Sequence, residues 1–309
     1  MYKNFFDINF LPFAIMPDVR FYCHLPSHDE AVNSIAYSIA NGDSLITVTG
    51  EIGVGKTIVC KKVIRILEKE NHICHIPNPS FSTNDFYRSI LHLLGSQKAH
   101  KDSERYDLFQ AIQEILITYR KQKKNVVVII DEGQLMNAQM LESIRLLTNL
   151  ELNNEKLIQI VLFGQPELAE QIERKDLRQF AQRIIFSYQI RRLSLEESNQ
   201  YITHRLIQAG HTNGLMFSTK ANKFLHKHSQ GVPRIINILA HKAMMYAYSR
   251  NALQIDINAI KAAVKDSPNA ISSIYYSDNN SSPSVITALT IIALSLSIFL
   301  IALVNLIGI

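Results

Sequence analysis

The chain has 309 residues, of which 47% are hydrophobic and 19% charged, and its 32 basic and 27 acidic side chains give a net charge of +5. This content of hydrophobic residues, with 14 Phe and 12 Tyr, excludes an intrinsically disordered chain. The charges are unevenly placed, because the last one is Asp278 and 19 of the 25 residues in 285–309 are apolar. The sequence therefore predicts a globular body followed by a segment of a different kind.

The globular body is expected to stay in a reducing compartment. The three cysteines are scattered and odd in number, so they form neither a disulfide framework nor a metal-ligand pattern. The first residues lack the uninterrupted apolar stretch and the cleavage site of a secretory signal. We therefore expect the folded part to remain in the cytoplasm.

Apolar runs alternate with helical periodicity over the first 190 residues, which is typical of an α/β domain with a parallel sheet. Strands are predicted over residues 45–49, 73–76, 126–131, 157–163 and 184–190. Helices are predicted over residues 56–69, 83–94, 105–122 and 138–151, with short ones between 166 and 182.

From Leu193 onward the pattern predicts helices only, over residues 195–209, 219–229, 232–249 and 257–264. Residues 266–284 are rich in Ser, Asn and Pro, which is typical of a linker. The predicted organisation is an α/β domain over 1–192, a helical lid subdomain over 193–265, a linker over 266–284 and a membrane helix over 285–309.

The strongest chemical signal lies between the first predicted strand and the helix that follows it. The segment GEIGVGKT matches the phosphate-binding pattern G-x-x-x-x-G-K-[ST], in which glycines turn backbone N–H groups toward a phosphate. The lysine of the pattern reaches the outer phosphates, and the threonine offers a hydroxyl to Mg²⁺. The predicted ATP-binding residues are Gly50, Glu51, Ile52, Gly53, Val54, Gly55, Lys56, Thr57 and Ile58.

A second signal is the apolar run VVVII, which is followed directly by Asp131 and Glu132. Alone, a strand followed by two acids can be a solvated strand end. Beside a phosphate loop, Asp131 is expected to hold Mg²⁺ together with Thr57, and Glu132 to polarise the water that attacks the γ-phosphorus.

Six segments in this order, GEIGVGKT, IIDEGQ, LFGQPEL, QRI, YITHRLIQAG and GVPRIIN, resemble the AAA+ ATPases of the general secretion pathway protein A (ExeA) group. The opening FFDINFLPFAIMPDVRFYCHLPSHDEAV is most similar to the MshM-type ATPases of mannose-sensitive haemagglutinin (MSHA) pilus biogenesis. The resemblance covers about residues 1–265. One departure is Gly133, where the group usually has Ala. The resemblance implies a P-loop NTPase fold of the AAA+ type, with helices on both faces of the sheet.

The resemblance also implies roles for three more residues. Gln165 matches the position that senses the γ-phosphate, and Arg234 matches a second sensor in the lid. Arg183 matches the arginine finger given to the neighbouring subunit, with Arg178 as a competitor for that role. Leu25 and Pro26 match a segment that either packs beside adenine or belongs to the core.

Nucleic acid is not an expected partner. The basic run at residues 120–124 lies at a predicted helix C-terminus, where cations interact favourably with the helix dipole. We expect no helix with a sustained basic face, and no basic and aromatic interleaving of the kind that single-strand binders use.

The last segment, residues 285–309, carries no charge. As a helix it would extend about 37 Å, against a hydrocarbon core of about 30 Å. The sequence predicts a tail-anchored, single-pass protein of the bacterial inner membrane with a cytoplasmic ATPase domain.

Together these features predict a membrane-anchored, homo-oligomeric AAA+ ATPase, dependent on ATP and Mg²⁺, that supports the assembly of a type IV (MSHA-like) pilus or type II secretion apparatus. Its partners would be pilus or secretion assembly proteins at the inner membrane. Two alternatives are a DNA-linked ATPase of the transposition-regulator type and a nucleotide-dependent scaffold with negligible turnover.

Overall fold

The computed structural model describes residues 2–96 and 103–270. Within these ranges the strands are β1 (Leu45–Gly50), β2 (Asn71–Ile76), β3 (Asn125–Ile130), β4 (Glu151–Leu152), β5 (Glu155–Lys156), β6 (Gln159–Gly164) and β7 (Phe186–Ile190). The α-helices are α1 (Tyr2–Phe5), α2 (Pro26–Ala40), α3 (Lys56–Leu67), α4 (Thr83–Leu93), α5 (Arg105–Lys121), α6 (Ala138–Leu147), α7 (Pro166–Ile172), α8 (Arg178–Ala181), α9 (Leu195–Gln208), α10 (Thr219–Ser229), α11 (Pro233–Ser249) and α12 (Ile257–Lys265).

Five strands form a sheet in the order β2-β3-β6-β1-β7, and every neighbouring pair is parallel. Parallel sheets are normally covered by helices on both faces. Alternate side chains of strand β3 contact the two layers of helices. Val127 and Ile129 pack with α2 and α3 on one face, whereas Val126, Val128 and Ile130 pack with α4, α5 and α6 on the other. The predicted parallel sheet with helices on both faces is confirmed.

The strand order decides which loops meet. Strands β3, β6 and β1 are consecutive in the sheet, so their carboxyl ends lie side by side at one edge. The loops that leave this edge begin at Glu51, Asp131 and Gln165. Crevices outside the carboxyl ends of parallel strands are where α/β proteins bind ligands.

After β7 the described chain consists of helices α9 to α12, which form a lid over that edge. The N-terminal segment packs against these helices. The Tyr2 hydroxyl lies 2.8 Å from Nδ1 of His241 on α11, and the buried Arg205 on α9 donates to the carbonyl of Pro12. The N-terminal segment is therefore part of the wall between lid and sheet.

The end of one predicted helix was wrong, and one long helix was not predicted. Helix α6 ends at Leu147 rather than at 151, because residues 151–156 form a short antiparallel hairpin, β4–β5. Its turn residues, Asn153 and Asn154, are both left-handed (φ 53° and 65°), a conformation that Asn tolerates better than most residues. The 15-residue helix α2, which begins with Pro26 in its first turn, was not predicted.

Among residues 2–96 and 103–270, no helix combines the length and the hydrophobicity needed to cross a bilayer. The predicted span, 285–309, and residues 271–284 of the predicted linker lie outside the described residues. Residues 1–266 form one compact unit, and a second unit begins at Ser267. The membrane helix, the linker and the subdomain boundary at 192/193 stay predictions.

Candidate functional site

A cavity of about 650 Å³ lies between the carboxyl edge of the sheet, the lid and the N-terminal segment. This volume falls within the range of about 300–1,000 Å³ that is usual for sites of small ligands. The first loop and α3 contribute residues 52, 53 and 55–58, the sheet edge contributes Glu132 and Gln165, and the lid contributes Tyr201, Arg205, Pro233, Arg234 and Asn237. Residues between 14 and 23 form the remaining wall with His28.

The loop after β1 presents the positive end of α3 to the cavity. No side chain caps this helix, so its first N–H groups are available to an anion. The buried His28 fixes the loop from behind, because its Nε2 lies 2.9 Å from the carbonyl of Val54 and must donate to it. Burial lowers the pKa of His28, which keeps the ring neutral. The geometry fits a phosphate.

Lys56, the first residue of α3, is buried at 7% exposure. Its ammonium donates to the carbonyls of Gly50 (2.7 Å) and Glu51 (2.9 Å). An ammonium has three N–H donors, so one donor remains beyond these two bonds. Burial lowers the pKa of Lys56, whereas the nearby carboxylates of Glu132 and Asp131 act in the opposite direction. An anion in the cavity would stabilise the charged form.

Thr57 and Asp131 lie together behind the loop. The Thr57 hydroxyl donates to Oδ2 of Asp131 at 3.2 Å, and the N–H of Glu132 donates to Oδ1 at 2.9 Å. Burial raises the pKa of Asp131, because a buried carboxylate without a cation is unfavourable. Two hard oxygen atoms with an excess of negative charge suit Mg²⁺. The residues present therefore fit the metal that the sequence predicts.

Glu132 lines the cavity in a left-handed conformation (φ 55°). Two amide groups hold its Oε2, because Gln134 donates to it at 2.6 Å and Gln165 at 3.3 Å. The side-chain oxygen of Gln134 in turn accepts from the backbone N–H of Gln165 at 3.0 Å. The sequence predicted Glu132 and Gln165 but not Gln134, although Gln134 stands in the same motif.

Arg234 lies in the first turn of α11, directly over the phosphate loop. Its backbone N–H donates to the carbonyl of Gly53 at 3.2 Å, and its exposed side chain lines the cavity. A Cβ on Gly53 would lie 2.8 Å from Cβ of Arg234. Only glycine allows this approach, which explains the second glycine of the loop.

The N-terminal wall is held by Arg205 of α9. Its guanidinium donates to the carbonyl of Pro12, to the carbonyl of Ala14 at 3.2 Å and to the Tyr201 hydroxyl at 2.9 Å. The Arg205 guanidinium also lies 4.8 Å from the ring centroid of Phe21. The sequence did not single out Arg205, because its contacts span about 190 residues.

Of the two N-terminal residues considered for adenine packing, Leu25 is fully buried and Pro26 begins α2. Neither lines the cavity. Residues 14–18 and 21–23 take that place.

Five predicted site residues do not line the cavity. Gly50 ends β1, Val54 is buried behind the loop, and Asp131 lies behind Thr57. Arg183 lines a separate depression with Arg145, Gln179 and Gln182. The competing Arg178 is exposed on α8.

The fifth residue, Glu51, turns away from the cavity. Its carboxylate accepts from Nε of Arg192 at 2.8 Å, and the same guanidinium donates to Gln230 of the lid. Arg192 thus links the first loop residue after β1, the connection between sheet and lid, and the turn that leads to Arg234.

We expect this ion pair to stabilise the arrangement of loop and lid. In a double-mutant cycle of Glu51→Gln and Arg192→Met, the coupling free energy should be about 1 kcal/mol, because both side chains are largely shielded from water (30% and 21% exposed). The same cycle on the exposed pair Arg174–Asp176 (58% and 51% exposed) is the matched control and should give a coupling near zero. Thermal unfolding measures both, and equal couplings would show that the Glu51–Arg192 contact does not join loop and lid.

Comparison with known proteins identifies an AAA domain over residues 39–172. General secretion pathway protein A of Aeromonas hydrophila is 36% identical over 255 residues, which is 82% of this chain and 46% of that protein. The chain therefore matches a little under half of the length of this curated relative.

Among solved structures, the Aeropyrum pernix ORC1 protein in complex with DNA has a TM-score of 0.63 at 15% identity, over 82% of this chain and 69% of that chain. Cdc6p from Pyrobaculum aerophilum has a TM-score of 0.62 at 12% identity, over 85% and 70%. The Thermotoga maritima RuvB Holliday junction branch migration motor has a TM-score of 0.51 at 14% identity, over 79% and 69%. At these sequence identities, the comparison shows that this chain and these structures share a fold.

Proposed function

The chain contains an AAA domain and is homologous to general secretion pathway protein A, and on this premise we propose that it is a membrane-anchored ATPase. Its ATP hydrolysis supports assembly of a type IV pilus, of the MSHA kind, or of a type II secretion apparatus. The observation that carries the proposal is that the phosphate loop, Glu132, Gln165 and Arg234 line the same cavity.

Binding of ATP follows from the donors around the cavity. The N–H groups at the start of α3 and the remaining donor of Lys56 bind the phosphates. Thr57 and Asp131 hold Mg²⁺, which when bound neutralises charge on the phosphate oxygens. The nucleoside lies toward residues 14–23 and the lid helix that carries Asn237.

Hydrolysis needs a base beside the γ-phosphorus. Glu132 accepts a proton from water while the water oxygen bonds to phosphorus, and the bond from phosphorus to the β–γ bridging oxygen breaks. The amides of Gln134 and Gln165 orient the Glu132 carboxylate. Arg234 senses the terminal phosphate from the lid, so the lid position depends on the nucleotide.

Arg183 acts in the neighbouring subunit of a homo-oligomer. This is consistent with its position outside the cavity of its own chain, and an arginine finger typically raises turnover by about 10³–10⁵-fold. Arg183→Ala should therefore abolish hydrolysis but keep ATP binding, whereas Arg178→Ala, the matched control, should keep both.

A mixing experiment separates action in trans from action in cis. Arg183→Ala subunits keep Glu132, and Glu132→Gln subunits keep Arg183, so a mixed oligomer regains hydrolysis if the arginine serves its neighbour. If the mixture stays as inactive as its two components, Arg183 is not a trans finger.

The membrane anchor is residues 285–309, and the ATPase domain faces the cytoplasm at the bacterial inner membrane. The uncharged length of this segment supports the proposal. Extraction of isolated membranes with alkaline carbonate tests it, because an integral span resists this treatment and a peripheral protein is released.

The role in assembly is tested by pull-down from detergent-solubilised membranes. Glu132→Gln keeps ATP bound, and Lys56→Ala binds it poorly, so the pair compares the two nucleotide states in one chain. Pilus or secretion assembly proteins should co-purify with one state and not with the other. Equal recovery of the same proteins with both variants would contradict a role for the ATP cycle.

A further inference from the structure

The positive charge of the chain is concentrated in the lid. Residues 211–265 contain eight Lys and Arg but only one acidic residue, Asp256, which gives this stretch a net charge of +7. The whole chain has a net charge of +5, so the rest of the chain is slightly acidic. The basic character of the protein is therefore a property of the lid.

Five lysines of this stretch lie on two neighbouring helices. Lys220, Lys223 and Lys227 are exposed on α10 at spacings of three and four residues, which places them on one face. Lys261 and Lys265 are exposed on α12, which packs against α10. The expectation that no helix has a sustained basic face was wrong for α10, which contains no acidic residue.

The two helices start side by side. A parallel β-bridge joins Phe217 to Ile255, and each helix begins two residues after its bridged residue. Lys223 and Lys261 each follow six residues after the bridge, and Lys227 and Lys265 each follow ten. Because α10 and α12 pack together from this common start, their exposed lysines lie at matching levels of two neighbouring helices.

Two leucines are exposed at the same end. Leu215 and Leu253 each precede a bridged residue by two positions, and they are 70% and 67% exposed. The segments that lead into α10 and α12 therefore each expose one apolar side chain close to the bridge. We call these seven residues the lid lysine–leucine surface: Leu215, Lys220, Lys223, Lys227, Leu253, Lys261 and Lys265.

The lysines of this surface have no ion-pair partner in the described part of the chain. Of the two acids nearby, Asp256 caps α12 by accepting from the N–H of Ala259 at 2.9 Å, and Asp266 pairs with Lys242 at 2.7 Å. The unpaired positive charge is therefore available to an external anion.

We propose that the lid lysine–leucine surface binds the headgroup region of an anionic phospholipid bilayer. Lysines that reach phosphate headgroups beside leucines that enter the acyl boundary are the combination found in interfacial membrane binding. Each lysine near such a surface strengthens binding by about fivefold. The surface contains no Arg, the residue that recognises nucleic-acid phosphates and guanine with paired donors. The inference deepens the proposed anchoring at a membrane, because the surface would place the lid against the same bilayer.

The test uses the full chain with vesicles of phosphatidylcholine alone or of equal parts phosphatidylcholine and phosphatidylglycerol. Lysine acylation is followed residue by residue by mass spectrometry. The five lid lysines should react several-fold more slowly in the presence of the vesicles that contain phosphatidylglycerol than in the presence of those of phosphatidylcholine alone. Addition of 1 M salt, which shortens the screening length to about 3 Å, should restore their reactivity. Equal rates in the two kinds of vesicle would overturn the proposal.

Matched variants locate the effect. Replacing Lys220, Lys223 and Lys227 by Gln should remove the protection of Lys261 and Lys265. The control variant replaces the exposed Lys121, Lys123 and Lys124 by Gln. In this control, Lys261 and Lys265 should remain protected. Loss of protection in both triple variants would overturn the proposal.

Two further arms separate the alternatives. If duplex DNA at physiological salt protects the same lysines in phosphatidylcholine vesicles, the surface binds nucleic acid and the proposal is wrong. Alkaline carbonate extraction of the same vesicles reports on residues 285–309 independently, so a failed anchor and a failed lid surface are distinguished.

Discussion

Glu132→Gln is expected to lower the rate of ATP hydrolysis by about 10²–10⁴-fold, the usual contribution of a positioned general base, and to leave ATP binding close to that of the wild type. The substitution removes the proton-accepting carboxylate but keeps an oxygen that can accept from Gln134 and Gln165. The local structure should therefore be retained. Phosphate release under saturating ATP and binding of a fluorescent ATP analogue measure the two effects separately.

The matched control is Glu167→Gln, which removes another carboxylate near Lys56 that does not line the cavity. This variant should hydrolyse ATP at nearly the wild-type rate. If Glu132→Gln kept wild-type turnover, the assignment of Glu132 as the base would be wrong. If both variants lost turnover equally, the effect would come from the field of the carboxylates rather than from proton transfer.

Gly231→Ala is expected to destabilise the protein by about 3 kcal/mol or more, because strain and a lost backbone contact act together. Gly231 is left-handed (φ 74°), and a Cβ there would lie 2.0 Å from the carbonyl oxygen of Leu193. The Leu193 N–H also donates to the Gly231 carbonyl at 2.9 Å. The substitution would push Gly231 away from Leu193 and so separate the lid from the sheet. Because Arg234 follows three residues later, the affinity for ATP should fall as well.

Gly42→Ala separates backbone strain from the clash. Gly42 is also left-handed (φ 85°), but a Cβ there would meet nothing within 4 Å. Gly42→Ala should lower the free energy of unfolding by about 1–2 kcal/mol, which is the cost of placing an L side chain in the left-handed region. Urea unfolding followed by circular dichroism measures both variants. Equal losses would show that the contact between Gly231 and Leu193 contributes nothing.

Features that depend on neighbouring residues could be predicted from the sequence. The phosphate loop, the acids after an apolar strand and the alternation of strands with helices are local patterns, and the sheet and most element bounds followed from them. The packing of loop, strand end and sensor at one edge then follows from the parallel sheet, since carboxyl ends of parallel strands meet. The chemistry assigned to these residues stays a prediction.

Features that depend on contacts distant in sequence could not be predicted. Arg192 meets Glu51 across 141 residues, and Arg205 meets the N-terminal segment across about 190. Nothing local distinguishes these arginines from solvated ones. The lid lysine–leucine surface was missed for the same reason, because α10 and α12 pack against each other and their bridged residues, Phe217 and Ile255, lie far apart in the sequence. Tertiary pairing decides which lysines share a surface.

The hairpin β4–β5 shows a different limit. The periodicity of residues 138–151 continues that of a helix, but the left-handed Asn153 and Asn154 favour a tight turn. Turn chemistry overrode periodicity over the last residues of the predicted helix. The Asn–Asn pair was the signal that could have found this hairpin.

The most direct measurement of whether this cavity hydrolyses ATP is steady-state phosphate release by the purified full chain, with and without Mg²⁺, beside Lys56→Ala. Wild-type protein should release phosphate only when Mg²⁺ is present, and Lys56→Ala should not release it above background, because it lacks the ammonium that contacts the loop. A nucleotide-dependent scaffold would bind ATP without turnover. Equal phosphate release from the wild type and from Lys56→Ala, or none from either, would contradict an ATPase at this site.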